Sequence, residues 1–290
     1  MQNTIQGQSN PLQGYFRQPK IYIKLPSQGN FWEVGSIDIP ENGEYPVYAM
    51  TAKDEITMRT ADGLINGQAT VDVIKSCMPN LKDPWKMPSI DLDAVFIAMK
   101  IATYGETMDM KTTVPGTDLE KDFSIDLRKL LDLILSQTYE NQIKIDDLTI
   151  NIKPMNYQEY TKNSLATFEE QRIFSIVNDN KLSDSQKSKA FQEAFKKLTE
   201  INVRMVIDSI HSIQIGEDVV SDRRHINEFI ENADKKFYDA VFTSLDRERN
   251  KFTVKPFEFT ATPEEKEAGA QDQYTIPILM DPSNFFAQGS

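Results

Sequence analysis

The chain has 290 residues, 39% hydrophobic and 26% charged, the balance of a folded protein with room for two or three compact units rather than of a disordered one. No apolar run approaches the ~20 residues that a membrane-spanning helix needs, and a formal net charge of −12 opposes the positive footprint that binding nucleic acid requires. The single cysteine, Cys77, excludes an intramolecular disulfide and a cysteine-based zinc site.

Residues 1–14 are rich in Gln and Asn and carry no basic or apolar signal region; they read as the disordered leader of a cytosolic protein. Residues 15–155 read as an N-terminal α+β domain. Ile21-Tyr22-Ile23-Lys24-Leu25 predicts a short strand closed by the turn Pro26-Ser27-Gln28-Gly29. Residues 36–39 and 46–49 predict two more strands around Glu41-Asn42-Gly43-Glu44. Thr51 and Asp54 approximate a capping box. A short helix follows over 69–78, with Val73, Ile74, Cys77 and Met78 on one face and Pro79 as its stop. The next helix is capped by Ser89 or Asp91, repeats Leu92, Val95, Phe96, Met99 and Ala102 at helical spacing, and ends at Gly105. Residues 112–122 read as a polar loop and 123–127 as a strand, whereas 130–135 are too uniformly apolar to assign. Ile143, Ile145, Leu148, Ile150 and Ile152 alternate, predicting one or two strands before Pro154.

Residues 156–250 read as a helical domain. Helices are expected over 157–178 and over 184–213, the second with a stripe of Phe191, Ala194, Phe195, Leu198, Ile201 and Met205 that Gly216 ends. A last helix, capped by Ser221 or Asp222, places Ile226, Phe229, Ile230, Ala233, Phe237 and Val241 on one side. A helical hairpin packed on a third helix is the simplest arrangement. Residues 251–290 read as a β-hairpin, 252–259 with 274–279, joined by an acidic loop over 260–273 and followed by a tail ending in Phe285-Phe286. The fold class is α+β.

The residues offer little chemistry. His211 and His225 lie fourteen positions apart with no cysteine nearby, which does not fill a zinc shell. Cys77, on the apolar side of its helix, reads as a buried structural thiol rather than a nucleophile. Asp54-Glu55 and Asp91/Asp93 stand at helix starts, where carboxylates complement exposed N–H groups, and Asp146-Asp147 stands in a turn. Neither Gly-x-Gly-x-x-Gly, nor a Gly-Lys-Ser/Thr phosphate loop, nor a Gly-x-Ser-x-Gly elbow is present. No catalytic residue, metal ligand or cofactor is assigned; an enzyme with a dispersed site is the less favoured class, and an adaptor holding a partner helix or tail stays open. The aromatic ends carry the binding signal: Tyr15, Phe16 and Arg17 at one end, Phe285 and Phe286 at the other. A tail ending in two aromatics either folds back onto its own core or docks in a partner's groove.

Several local patterns occur in one order: Tyr15-Phe16-Arg17-Gln18-Pro19 through Gly29, Met50-Thr51-Ala52-Lys53-Asp54-Glu55, Ala61-Asp62-Gly63-Leu64-Ile65-Asn66-Gly67, Lys75-Ser76-Cys77-Met78-Pro79, Asp91-Leu92-Asp93 leading into Ala102-Thr103-Tyr104-Gly105, and Asp281-Pro282-Ser283-Asn284-Phe285-Phe286. In that order they resemble the baseplate hub and hub-assembly family of T-even-type contractile-tailed phages. The resemblance implies a non-enzymatic tail protein, either a hub subunit or a chaperone for hub and tape-measure proteins. Its implied partners are those proteins, without nucleic acid or membrane and with self-association left open. The implied location is the host cytoplasm during assembly, or the virion tail. The loops matching 112–122 and 260–273 often carry Cys pairs in the family; here they have none, so a metal role is not carried over, and hairpins there would rest on strand pairing and packing.

Overall fold

The computed structural model describes residues 12, 15–58, 67–163, 183–278, 280, 285 and 286. The expected leader (apart from residue 12), residues 61–66, the later part of the expected helix over 157–178, and residues 281–284 lie outside the described residues; 157–163 are helical, as expected.

One helix organises the first half of the molecule. In Leu92–Tyr104, every residue from Leu92 to Ala102 is buried; apart from Asp93 and Lys100 the stretch is apolar round its circumference, and such a helix must be covered on every side. Packed around it are the antiparallel strands β1 (Pro19–Ile23) and β2 (Tyr45–Tyr48) and the helix α2 (Gln68–Cys77), with α1 (Ala52–Met58) lying against α2; Leu92–Tyr104 is α3. The pairs Ile21↔Val47 and Ile23↔Tyr45 turn the apolar face of the two strands inward. The strand expected at 36–39 is a single bridge, Ile37↔Leu81, since Ser36 N–H turns back to Glu33 and Pro40 cannot donate to a ladder.

The polar loop expected over 112–122 is the tip of a hairpin: 114–119 connect two strands, and 112–113 and 120–122 belong to those strands. β3 (Thr107–Thr113) and β4 (Glu120–Asp126) pair along seven residues each. Met108, Met110 and Ile125 face the core, while the charged set on the other face hides the period in the sequence. The unassigned stretch 130–135 belongs to α4 (Leu127–Leu135), whose N–H of Lys129 is capped by Asp126 at 2.9 Å and whose Leu127, Leu131 and Ile134 are buried at helical spacing.

The second half is built on a four-stranded sheet in the order β5 (Gln142–Ile145), β6 (Leu148–Ile152), β7 (Ile210–Ile215), β8 (Asp218–Val220). The helix expected to run to 213 is α5 (Asp184–Ser209), started by a Ser183/Gln186 capping box. It stops at Ser209 because the next residues pair with the open edge of β6, burying Ile210, Ser212 and Ile213 in a strand; tertiary pairing overrides the helical stripe. The division expected at 155/156 therefore separates two hydrogen-bonded strands, and the stretch expected to be helical contains β7 and β8. The expected last helix is two, α6 (Arg223–Asn232) and α7 (Lys235–Lys251), because Asp234 accepts from the N–H of Phe237 at 2.7 Å and starts a new helix. Ile150, Ile152, Val206, Ile210, Ile213, Ile226, Phe237 and Val241 form the second core.

The C-terminal hairpin is β9 (Phe257–Thr260) and β10 (Gln273–Ile276), with α8 (Pro263–Glu267) inside the expected loop. Its far end meets the far end of the β3–β4 hairpin around a small core of Val114, Ala261, Tyr274 and Ile276. Gly116 (φ 83°) and Gly269 (φ 110°) approach so closely that a Cβ on either would lie 3.2 Å from the other's carbonyl oxygen. Lys121 pairs with Glu265 at 2.8 Å beneath the rings of Phe259 and Tyr274, and Glu265 also accepts from the Tyr274 hydroxyl. Both cysteine-free hairpins thus persist, joined by apolar contact and one ion pair.

Candidate protein interface

Of the three N-terminal candidates, Arg17 faces inward. Its guanidinium donates to the Ala49 carbonyl, to the Ser76 carbonyl at 2.5 Å and to Ser76 Oγ at 2.7 Å, lies 3.5 Å from Asp54 and sits over the Tyr48 ring at 5.7 Å. Asp54 in turn accepts from Thr51 N–H and Oγ and from Ser76 Oγ, completing the expected capping box and tying the arm to α1 and α2. Arg17 is therefore a fastener. What it fastens is displayed: Tyr15 is 87% exposed and Phe16 54% exposed. Phe16, Tyr48 and Pro79 border a surface hollow of about 470 Å³ with Arg17, Thr51 and Ser76. The strand register adds to this surface, since the residues opposite the buried set, Tyr22 and Pro46, face outward as a pair.

The C-terminal candidates are placed differently. Phe285 and Phe286 are buried in the first core, with Phe286 edge-on to Phe96 at 5.9 Å. Of the two alternatives for the tail, the structure has the fold-back, and while seated there the two rings face their own chain rather than a partner. The seat includes a residue sequence reasoning missed. Lys100, fully buried in α3, donates from Nζ to the Phe285 carbonyl at 2.8 Å and lies over the rings of Tyr104 and Phe285. Burial pushes its pKa down to about 8. A lone lysine inside Ala94-Val95-Phe96-Ile97-Ala98-Met99-Lys100-Ile101-Ala102 was the available signal.

Asp91 and Asp93 also do something other than cap. Asp91 accepts from Ser27 N–H (2.7 Å), Ser27 Oγ (2.6 Å) and Trp32 Nε1 (3.1 Å), and Asp93 accepts from Val254 N–H at 3.0 Å. They pin the chain after β1 and the chain after α7 to the central helix. Burial raises the pKa of each to about 6, the hydrogen bonds pulling the other way. Cys77 is buried, and that burial pushes its thiol up to about 12, so it is protonated at neutral pH and far from a nucleophile's poise. His211, on β7, and His225, in the first turn of α6, are exposed. Asp146, with φ 51°, and Asp147 turn the β5–β6 hairpin. Among the described residues no group of three or more His, Cys, Asp or Glu side chains could hold a metal ion. A void of about 50 Å³ lies between the first two cores, beside Tyr139, Met155, Met205 and Phe242.

The described surface presents exposed aromatic contact area and loops fastened to the central helix, features of a binding or scaffolding α+β protein. The comparison with protein families makes it more specific: the family of T4 bacteriophage base plate proteins matches residues 19–258, and the chain belongs to it. No curated protein and no solved structure matches the chain. Family membership places the protein among the structural proteins of the phage tail baseplate.

Proposed function

We propose that the protein is a non-catalytic component of baseplate hub assembly, serving either as a hub subunit or as a chaperone that prepares hub and tape-measure proteins in the host cytoplasm. The observation that carries this reading is the fastened N-terminal arm. Arg17 spends its donors on the protein's own backbone, so that Tyr15 and Phe16 are held out as contact surface at a defined place. Rigid, exposed aromatics are the side chains that dominate protein interfaces. Tyr15 and Phe16 are the proposed partner-binding residues, with Arg17 as their support. Phe285 and Phe286 would serve a partner only after leaving their seat.

The test is genetic and structural. Deleting the gene from the phage should stop tails before a complete baseplate forms, as seen by electron microscopy of infected-cell lysates. Quantitative mass spectrometry of purified tails then separates the two roles: a subunit is present in fixed copy number, a chaperone is absent. Complete, infectious tails from the deletion phage would refute both.

A further inference from the structure

We infer that the outward face of β1 and β2, together with Phe16 at its end, docks an acidic protein partner. The inference deepens the assembly reading above and rests on it. In an antiparallel pair, alternate residues take opposite faces. Ile21, Ile23, Tyr45 and Val47 are turned to the core, so Tyr22, Pro46 and Tyr48 take the other side; Lys20, at the bulge in β1, and Lys24, just past its end, are exposed on either side of Tyr22 in the chain. Tyr22 is 56% exposed, opposite Pro46, and Phe16 stands beside Tyr48 across the hollow described above. Aromatic side chains thus line a face bordered by two exposed lysines.

Charge selects the occupant. The first 32 residues contain Arg17, Lys20 and Lys24 and no acidic residue, so a chain of net −12 carries −15 on all the rest. Arg17 is committed inside. Lys20 and Lys24 flank Tyr22 and form no ion pair among the described residues, and Glu44 at the start of β2 is turned to Asn42. A cationic aromatic patch on an acidic protein steers an anionic surface toward it and turns away like surfaces. A two-fold contact between copies through this face would set lysine against lysine. Nucleic acid would meet only two available cations here and a strongly negative molecule behind them. An acidic protein surface with apolar side chains to cover Tyr22 and Phe16 satisfies both the charge and the rings.

The test supplies the full-length tagged protein to the gene-deleted phage and identifies co-purified tail proteins by mass spectrometry. Lys20→Glu with Lys24→Glu should reduce one tail protein at least tenfold and lower phage yield with it. An Asp or Glu→Lys change in that tail protein should restore both. Phe16→Ala with Tyr22→Ala should reduce the same protein. All these side chains are exposed, so the variants should keep the wild-type thermal midpoint; should the charge reversal fail to fold, Lys20→Gln with Lys24→Gln replaces it. Capture and yield unchanged in the variants would overturn the inference, as would finding that the lost species is a differently tagged second copy of this chain or a nuclease-sensitive nucleic acid. If deletion blocks assembly but the lysine variants complement fully, only this inference fails. If deletion leaves complete tails, the assembly reading itself fails.

Discussion

The seating of the C-terminal phenylalanines gives the sharpest quantitative expectation. Phe285 is fully buried and its carbonyl accepts from Lys100, while Phe286 packs on Phe96. Truncating a buried Phe to Ala costs about 3–5 kcal/mol, set by lost transfer energy plus the cavity left behind. Against this stands the ordering of the tail, about 1–2 kcal/mol per residue fixed, which the mutation releases only if the tail detaches. Phe285→Ala should therefore lower stability by about 3 kcal/mol or more. Each kcal/mol moves the melting temperature of a chain somewhat smaller than this by about 2–4 °C, so a drop on the order of 10 °C is expected. The assay is thermal and urea unfolding, paired with hydrogen exchange resolved on α3 and the β9–β10 hairpin. Faster exchange in α3, where Phe96 and Lys100 lie, is the specific signature. Tyr15→Ala with Phe16→Ala is the control and should change the midpoint little, since both rings are largely exposed. A Phe285→Ala protein with wild-type midpoint and wild-type exchange in α3 would show that the tail does not anchor the core.

Other expectations are narrower. Asp91 and Asp93 have folded pKa values near 6 against an ordinary value of 3.8, so the unfolded chain releases these protons first. Their penalty, up to about 3 kcal/mol each by linkage, is complete above pH 6 and fades as pH falls toward 4. Asp93→Asn, which can still accept from Val254, should flatten that part of the urea-stability profile, and an unaltered profile would contradict it. Arg17→Ala removes several donors and leaves Asp54 without its cation. A loss of about 1–3 kcal/mol and faster exchange over residues 15–18 are expected, and unchanged exchange there would mean that Arg17 does not fasten the arm. Gly116→Ala should cost more than Gly35→Ala. Both have φ 83°, but only the first meets a neighbour, the Gly269 carbonyl; equal costs, read from thermal melts, would show that the two hairpin ends do not press together.

Much of the fold is legible in local pattern. The stretch from Leu92 to Ala102, apolar but for Asp93 and Lys100 and stopped by Gly105, announces a buried helix, and Ile21–Leu25 announces a strand, because burial imposes a period of 3.6 or 2 on the residues that face the core. The Thr51–Asp54 cap is equally local, being made within one turn. Of the site, Tyr15 and Phe16 were visible as aromatics on a segment that cannot fold alone. The direction of Arg17, Phe285 and Phe286 was not, because whether a side chain points inward depends on a cavity built by residues 32 to 185 positions away. The same holds for Asp91 and Asp93, which look like helix-start carboxylates and instead hold Ser27, Trp32 and Val254. The end of α5 at Ser209 lies beyond any local rule as well: Ile210–Ile215 continues a helical stripe in sequence and becomes a strand only because β6, some sixty residues earlier, offers an edge to pair with. Periodicity records which residues are apolar, and long-range hydrogen bonding decides which of two compatible backbones those residues adopt.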